Sequence, residues 1–217
     1  MRSIIITAGG HGKRMLSSTP KQFIELKGRP ILFYTIEKFL EFDPSIEVIL
    51  VLPQDHISTW ENLCKQHGFK HNLKIAEGGK ERFHSVKNGL SLATGDIVGI
   101  HDSVRPFVSI DVIDACYKEA AERGSAIPIM SPKESMRQLN GDKWIAVDRS
   151  EYVFVQTPQV FSRGYLQTAY EQEYKSIFTD DASVVEASGR EIHTVEGNEE
   201  NIKITTPSDL NWAELFI

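Results

Sequence analysis

Up to Met130, short apolar runs alternate with segments in which apolar residues recur every three to four positions. The runs are Ile4–Thr7, Val48–Leu52, Leu73–Ala76, Ile97–His101 and Ala126–Met130. Runs this short and this continuous predict strands covered on both faces. Between them Ile31–Phe42, Ile57–His67, Arg82–Leu92 and Ile110–Arg123 carry helical spacing, and in the first Leu32, Ile36, Phe39 and Leu40 fall on one stripe. Repeated βα units imply right-handed crossovers and a mostly parallel sheet between two helical layers, an α/β architecture. Ligands of such sheets bind beyond the carboxyl ends of the strands, which selects the loops after Thr7, Ala76 and His101.

After Met130 the pattern changes. Two short extended runs flank Asn140-Gly141, the signal of a hairpin, here an inserted arm over about residues 133–150 of an otherwise single domain, 1–217. An extended run at Tyr152–Gln156 follows, then a helix from about Arg163 and another opening at Thr179. Strands are expected near Ile192–Val195 and Ile202–Thr205. Thr206-Pro207-Ser208-Asp209 starts the last helix with a cap, a proline at its first position and an acid in its first turn.

Composition narrows the class. The 217 residues carry a formal net charge of −6, with 41 % hydrophobic and 25 % charged positions. That length suits one sizeable core, and the acidic balance argues against a nucleic-acid partner, which needs a broad basic face. The two cysteines, Cys64 and Cys116, lack metal-ligand spacing and read as reduced thiols inside helices. Neither a signal-peptide core nor an apolar run of membrane-spanning length occurs, so a cytoplasmic, non-membrane protein is expected.

Within that acidic chain the stretch "IIITAGGHGKRMLSSTPKQF" concentrates glycine and cations. Glycines let backbone N–H groups approach an anion closely, although a tight turn could also require them. The spacing rejects two phosphate loops. A Walker A loop needs Ser or Thr after Gly-Lys, and here Arg14 follows Gly12-Lys13. A dinucleotide loop needs a third glycine where Met15 stands, and Pro53-Gln54 rather than an acid follows the second strand.

"AGGHGKRM…PKQF" resembles the glycine, arginine and lysine signature of the nucleotidyltransferases. With "GGKERFHSV", "HDSVRPF", "VDRS", "QTPQVF", "TDDASVVE" and "NIKITTPSDL" following in order, the whole chain resembles the 2-C-methyl-D-erythritol 4-phosphate cytidylyltransferase family. The resemblance implies a Rossmann-like three-layer nucleotidyltransferase fold with a projecting β-hairpin arm. It also implies a homodimer whose sites are completed by the partner's arm, and a divalent cation, Mg²⁺. The implied reaction is attack of a sugar-alcohol phosphate on the α-phosphorus of CTP with release of pyrophosphate. A phosphate dianion needs no general base, so catalysis rests on positioning and charge stabilisation.

Carried over by matching motif, Arg14 and Lys21 stabilise the pentacoordinate phosphate, while Ala8, Gly9, Gly10, His11 and Gly12 hold the triphosphate. Gly79, Lys80 and Ser85 form the cytosine pocket, with Lys80 standing where the family commonly has an acid or a small residue. Asp102 lies by the ribose and is the expected Mg²⁺ ligand, one carboxylate sufficing when substrate phosphates supply the rest. Arg149 and Lys203 are the catalytic cations on the acceptor phosphate. Arg105, Ser135 (where threonine is usual) and Thr179 complete the acceptor site. Plainer readings stand beside these: Lys13 as a solvated neighbour, Arg105 as a loop-fixing ion pair, Thr179-Asp180-Asp181 as a helix cap; Arg82 reads either as structural or as a phosphate contact. The rival functions are ribitol 5-phosphate cytidylyltransferase and, in another class, a nucleotide-binding regulatory protein without turnover. Four converging cations argue against the latter.

Overall fold

A computed structural model describes residues 1–9 and 19–217. The first half of the chain contains β1 (Arg2–Thr7), a small ribbon of β2 (Glu25–Leu26) and β3 (Arg29–Pro30), α1 (Ile31–Phe42), β4 (Glu47–Leu52) and α2 (Ile57–His67). It continues through β5 (Lys74–Glu77), α3 (Arg82–Leu92), β6 (Ile97–Asp102), α4 (Ile110–Arg123) and β7 (Ser125–Met130). The second half holds the arm, β8 (Arg137–Asn140) and β9 (Lys143–Ala146), then β10 (Phe154–Val155) and β11 (Gln159–Ser162). After these come α5 (Arg163–Tyr170), α6 (Asp181–Glu186), β12 (Thr194–Glu196) and α7 (Pro207–Ala213).

Strands β5, β4, β1 and β6 lie side by side and parallel. Their apolar runs are continuous because each strand feeds two cores. On β1, Ile4 and Ile6 join Leu32, Phe33 and Phe39 of α1 and Val112, Ile113 and Tyr117 of α4, whereas Ile5 faces Phe83, Val86 and Leu90 of α3 and Leu166 of α5. On β4, Val48, Leu50 and Leu52 face the first core, and Ile49 and Val51 the second. That period of two across a buried sheet makes the fold a mostly parallel three-layer α/β structure.

Between β6 and β7 runs β11, antiparallel to both. The sequence pattern does not predict it and puts the extended stretch at Tyr152–Gln156 instead. Pro158 interrupts the run, and Val160 and Phe161 alone are too short an apolar signal for a strand. The segment Ile202–Thr205, expected as a strand, joins no sheet; Ile204 N–H donates to Val104 O at 3.0 Å and leaves the ladder there. The helix expected to open at Thr179 begins at Asp181, capped by Asp180 and closed by a reciprocal bond with Ser183. The last helix starts as its sequence requires: Thr206 Oγ1 accepts from Asp209 N–H, and Pro207 occupies the first turn. The arm turns at Gly141, whose φ of 64° suits glycine.

One polar cluster pins the amino ends of these strands. Glu47 accepts from Ser3 Oγ (2.5 Å), Lys74 Nζ (2.5 Å), Thr94 N (2.7 Å) and Thr94 Oγ1 (2.8 Å). Burial alone would raise the Glu47 carboxyl; the hydrogen bonds from Lys74, Ser3 and Thr94 outweigh it and hold the group down to about 2. A carboxylate depressed in the folded state stabilises above its unfolded value of about 4.5, and that stabilisation is lost as pH falls toward 2. With screening around the half-exposed Lys74, about 1–2 kcal/mol is at stake. Glu47→Gln should therefore melt lower than wild type at pH 7, and the gap should close near pH 2. A gap independent of pH would mean that packing, not charge, carries the effect.

Candidate active site

Register brings the site together. Thr7 and Asp102 are Cα partners at the carboxyl ends of β1 and β6, and Leu52 pairs with Glu77 at the ends of β4 and β5. The loops that leave these ends line a cavity of about 280 Å³. Thr7 and Gly9 contribute from β1, the turn Gly79–Arg82 and Ser85 from β5 and α3, and Asp102–Val104 from β6. Lys21 and Lys203 supply cations.

Lys21 opens a single 3-10 turn after Pro20, and the next residue anchors that turn. Gln22 is buried and donates through Nε2 to Ala8 O at 2.8 Å, while Phe23 enters the first core. Ala8 N–H in turn donates to Val51 O at 2.9 Å, extending β1. The lysine is thus tied to the end of β1 by a bond between side chain and backbone rather than by helix or sheet.

The turn after β5 is locked by Ser85. Its Oγ accepts from Gly79 N–H at 3.0 Å and donates to Glu81 O at 3.2 Å, which leaves one lone pair unused on a residue that lines the cavity. Gly79 has no room for a side chain: a Cβ there would lie 2.3 Å from His84 Cβ. Close packing on the first turn of α3 makes glycine necessary at this position.

Asp102 is the electrostatic centre. Lys203 Nζ lies 2.8 Å from Oδ2, Arg105 Nε 3.5 Å from Oδ2, and Arg82 Nε 4.0 Å from Oδ1. Burial alone would raise this carboxyl, but Lys203, Arg82 and Arg105 hold it well below the usual carboxylate range. Its backbone is fixed from behind. Asp102 N–H donates to Thr157 Oγ1 (3.2 Å), whose hydroxyl meets His101 Nδ1 (3.0 Å), and His101 Nε2 meets Arg105 O (3.0 Å). Burial pushes His101 down to about 4, so the ring is neutral at pH 7; Nε2 then carries the proton that the carbonyl requires, and Nδ1 accepts from Thr157.

Lys203 reaches Asp102 from a loop held by buried amides. Asn201 Nδ2 donates to Thr157 O (2.9 Å), Gln156 Nε2 to Asn198 O (2.9 Å), and Arg105 Nη1 to Asn201 O (2.6 Å). Arg105, expected at the acceptor with a loop-fixing ion pair as its plainer reading, thus braces this loop through Asn201 O and pairs with Asp102 Oδ2 at 3.5 Å. Arg82 donates from Nη1 and Nη2 to the two oxygens of Asp181 (2.7 and 2.6 Å), and Tyr170 Oη donates to Asp181 Oδ1 at 2.6 Å. Sequence reasoning missed Asp181 as a site residue. Two adjacent acids after Thr179 were the available signal, since only Asp180 is needed as the cap.

Among the described residues, Arg149, Ser135 and Thr179 are expected site residues that do not line this cavity. Arg149 lies at the root of the arm, donates to Lys133 O, and lines a separate cavity of about 590 Å³ with Lys133, Thr194 and Glu199. Ser135 is exposed at the same root, and Thr179 is exposed ahead of α6. Gly10, His11, Gly12, Lys13 and Arg14 lie outside the described residues. Among the described residues no group of three or more His, Cys, Asp or Glu side chains is placed to hold a metal ion, and no helix is long and apolar enough to cross a membrane. One carboxylate oxygen nevertheless fits a hard cation. Asp102 Oδ2 is occupied by Lys203, whereas Oδ1 has Arg82 only at 4.0 Å, beyond hydrogen-bond distance.

The family model described as 2-C-methyl-D-erythritol 4-phosphate cytidylyltransferase matches residues 2–217. A relative of that name from Bacteroides fragilis is 51 % identical over 217 residues, covering 100 % of this chain and 99 % of the relative. One from Porphyromonas gingivalis is 45 % identical, covering 100 % and 97 %. Of solved structures, the 4-diphosphocytidyl-2C-methyl-D-erythritol synthase of Anaerococcus prevotii superposes with a TM-score of 0.84 at 28 % identity, covering 99 % of this chain and 95 % of that one. The Francisella tularensis cytidylyltransferase gives 0.80 at 30 % identity, covering 100 % and 99 %.

Proposed function

Since this chain belongs to the 2-C-methyl-D-erythritol 4-phosphate cytidylyltransferase family, we propose how its residues carry that family's reaction. The chain is a CTP-dependent nucleotidyltransferase of isoprenoid precursor synthesis. It joins CTP and 2-C-methyl-D-erythritol 4-phosphate into 4-diphosphocytidyl-2-C-methyl-D-erythritol and releases pyrophosphate. The observation that carries the assignment of roles is the convergence of Lys21, Lys203 and Asp102 on one cavity at the carboxyl ends of the parallel strands.

The cytosine lies against Gly79 and Lys80, with the remaining lone pair of Ser85 reading its polar edge. A wrong base would leave that partner unpaired. The triphosphate lies along Ala8, Gly9, Gly10, His11 and Gly12, with Arg14 and Lys21 on the α-phosphate. Lys21, held by the Gln22 anchor, meets the charge that grows as the acceptor oxygen bonds to phosphorus and the bond to pyrophosphate breaks. Lys203 and Arg149 orient the acceptor phosphate, with Ser135 and Thr179 as its polar neighbours; Arg105 serves by fixing the loop that carries Lys203. Asp102 Oδ1 would hold a Mg²⁺ ion, which when bound supplies charge neutralisation across the triphosphate.

The working unit in this reading is a homodimer. In one chain Arg149 and Lys203 line different cavities, and in this reading a second copy's Arg149 completes the acceptor site. The arm and the strand after it also expose apolar area: Trp144 is 63 % and Phe154 58 % exposed, with Leu139, Ile145 and Val153 beside them. Such a surface suits a twofold partner. The test is pyrophosphate release with CTP and either 2-C-methyl-D-erythritol 4-phosphate or ribitol 5-phosphate. Turnover is expected with the first, and a preference for the second would overturn the acceptor.

A further inference from the structure

Asp181 is fully buried and touches no face of the cavity, yet it holds a cation that does line it. Its two oxygens take both terminal nitrogens of Arg82 at 2.7 and 2.6 Å, and Tyr170 donates to Oδ1 at 2.6 Å. Tyr170 is itself buried and stacked on Phe83, 4.7 Å between ring centroids. The guanidinium fork is thereby turned away from the cavity. Only its Nε edge faces Asp102, at 4.0 Å from Oδ1, while Lys203 keeps Oδ2 at 2.8 Å.

We propose that Asp181, oriented by Tyr170, is a positioning residue that restrains Arg82 and so keeps the Asp102 carboxylate open toward the nucleotide. Arg82 has two carboxylates within reach, and a planar fork binds whichever offers two oxygens in the right plane. Asp181 wins because it is buried, where the pair is poorly screened, and because Tyr170 fixes its plane. Asn at this position has one acceptor oxygen and one NH₂ donor, and the donor faces a guanidinium N–H. The released fork then turns to Asp102, competes with Lys203 for the carboxylate and fills the part of the cavity above Oδ1.

The inference rests on the reading of this cavity as the CTP site, and the test separates the two. CTP saturation curves for pyrophosphate release are measured for the wild type, Asp181→Asn and the double variant Arg82→Gln/Asp181→Asn, well below their melting temperatures. We expect Asp181→Asn to raise the KM for CTP about tenfold, an effect a smaller folded fraction does not mimic, because loss of folded enzyme lowers the apparent kcat. The double variant has no released cation and should return to within about threefold of the wild-type KM, so that the second substitution repairs the first. An unchanged KM in Asp181→Asn, or a double variant as impaired as the single one, overturns the proposal. Tyr170→Phe removes one hydrogen bond and no charge; it should raise the KM two- to threefold, and decides the matter if Asp181→Asn does not fold. A wild type without saturable dependence on CTP would defeat the site reading and this inference together.

Discussion

Lys21→Ala should lower turnover at least about a hundredfold while CTP binding weakens far less. A preorganised donor aimed at charge that exists only in the transition state is worth about 2.7–4 kcal/mol, and its loss falls on kcat. Lys21 meets the structural condition for such a donor. Its turn is pinned to Ala8 through Gln22, its neighbour Phe23 is in the core, and it lines the cavity that Asp102 and Lys203 also line. Pyrophosphate release against equilibrium binding of CTP separates the two effects. Near-normal turnover would place Lys21 outside the reacting geometry, and an equal loss in binding and turnover would make it a ground-state contact.

Mixing Lys21→Ala with Arg149→Ala, each nearly inactive alone, should restore about a quarter of wild-type activity once subunits exchange. If each site combines Lys21 of one chain with Arg149 of the other, a mixed dimer has one site carrying both lesions and one carrying neither. Random pairing makes half the dimers mixed, and half the sites in those are intact. The separate linings motivate the experiment: within one chain Arg149 lines the cavity with Thr194 and Glu199, not the cavity of Lys21. A mixture that exchanges subunits, shown by mass or by a tag, yet stays inactive would put Arg149 in its own chain's site and remove the reason for a shared one.

Much of this site was legible because phosphate chemistry demands cations and glycines in recognisable company. Gly79, Ser85, Lys21, Asp102 and Lys203 were identified from motifs and lie together. The motifs leave Arg82 and Arg105 between phosphate contact and structural pair, and the structure gives each a carboxylate or carbonyl partner. Their roles were open because a pattern records that a charge is present, not whether another charge already neutralises it.

By itself the sequence determined the central strands to within a residue or two at each end, and the four helices α1–α4 with the bounds the spacing predicts. These signals are local. A strand buried on both faces must be apolar at every position, and a helix on a sheet must repeat every three to four. The sequence also determined the cap of α7, because Thr206, Pro207 and Asp209 meet their partners within one turn. Only the tertiary structure decided that β11 is inserted antiparallel between β6 and β7, and that Ile202–Thr205 stays out of the sheet. Strand pairing is made by partners far away in the chain, and a short apolar run does not name them. The same holds for charge: Asp181 and Lys203 find Arg82 and Asp102 because the sheet ends and α6 meet in space. Burial, which gives those pairs their strength, is a property of the assembled fold and not of any segment.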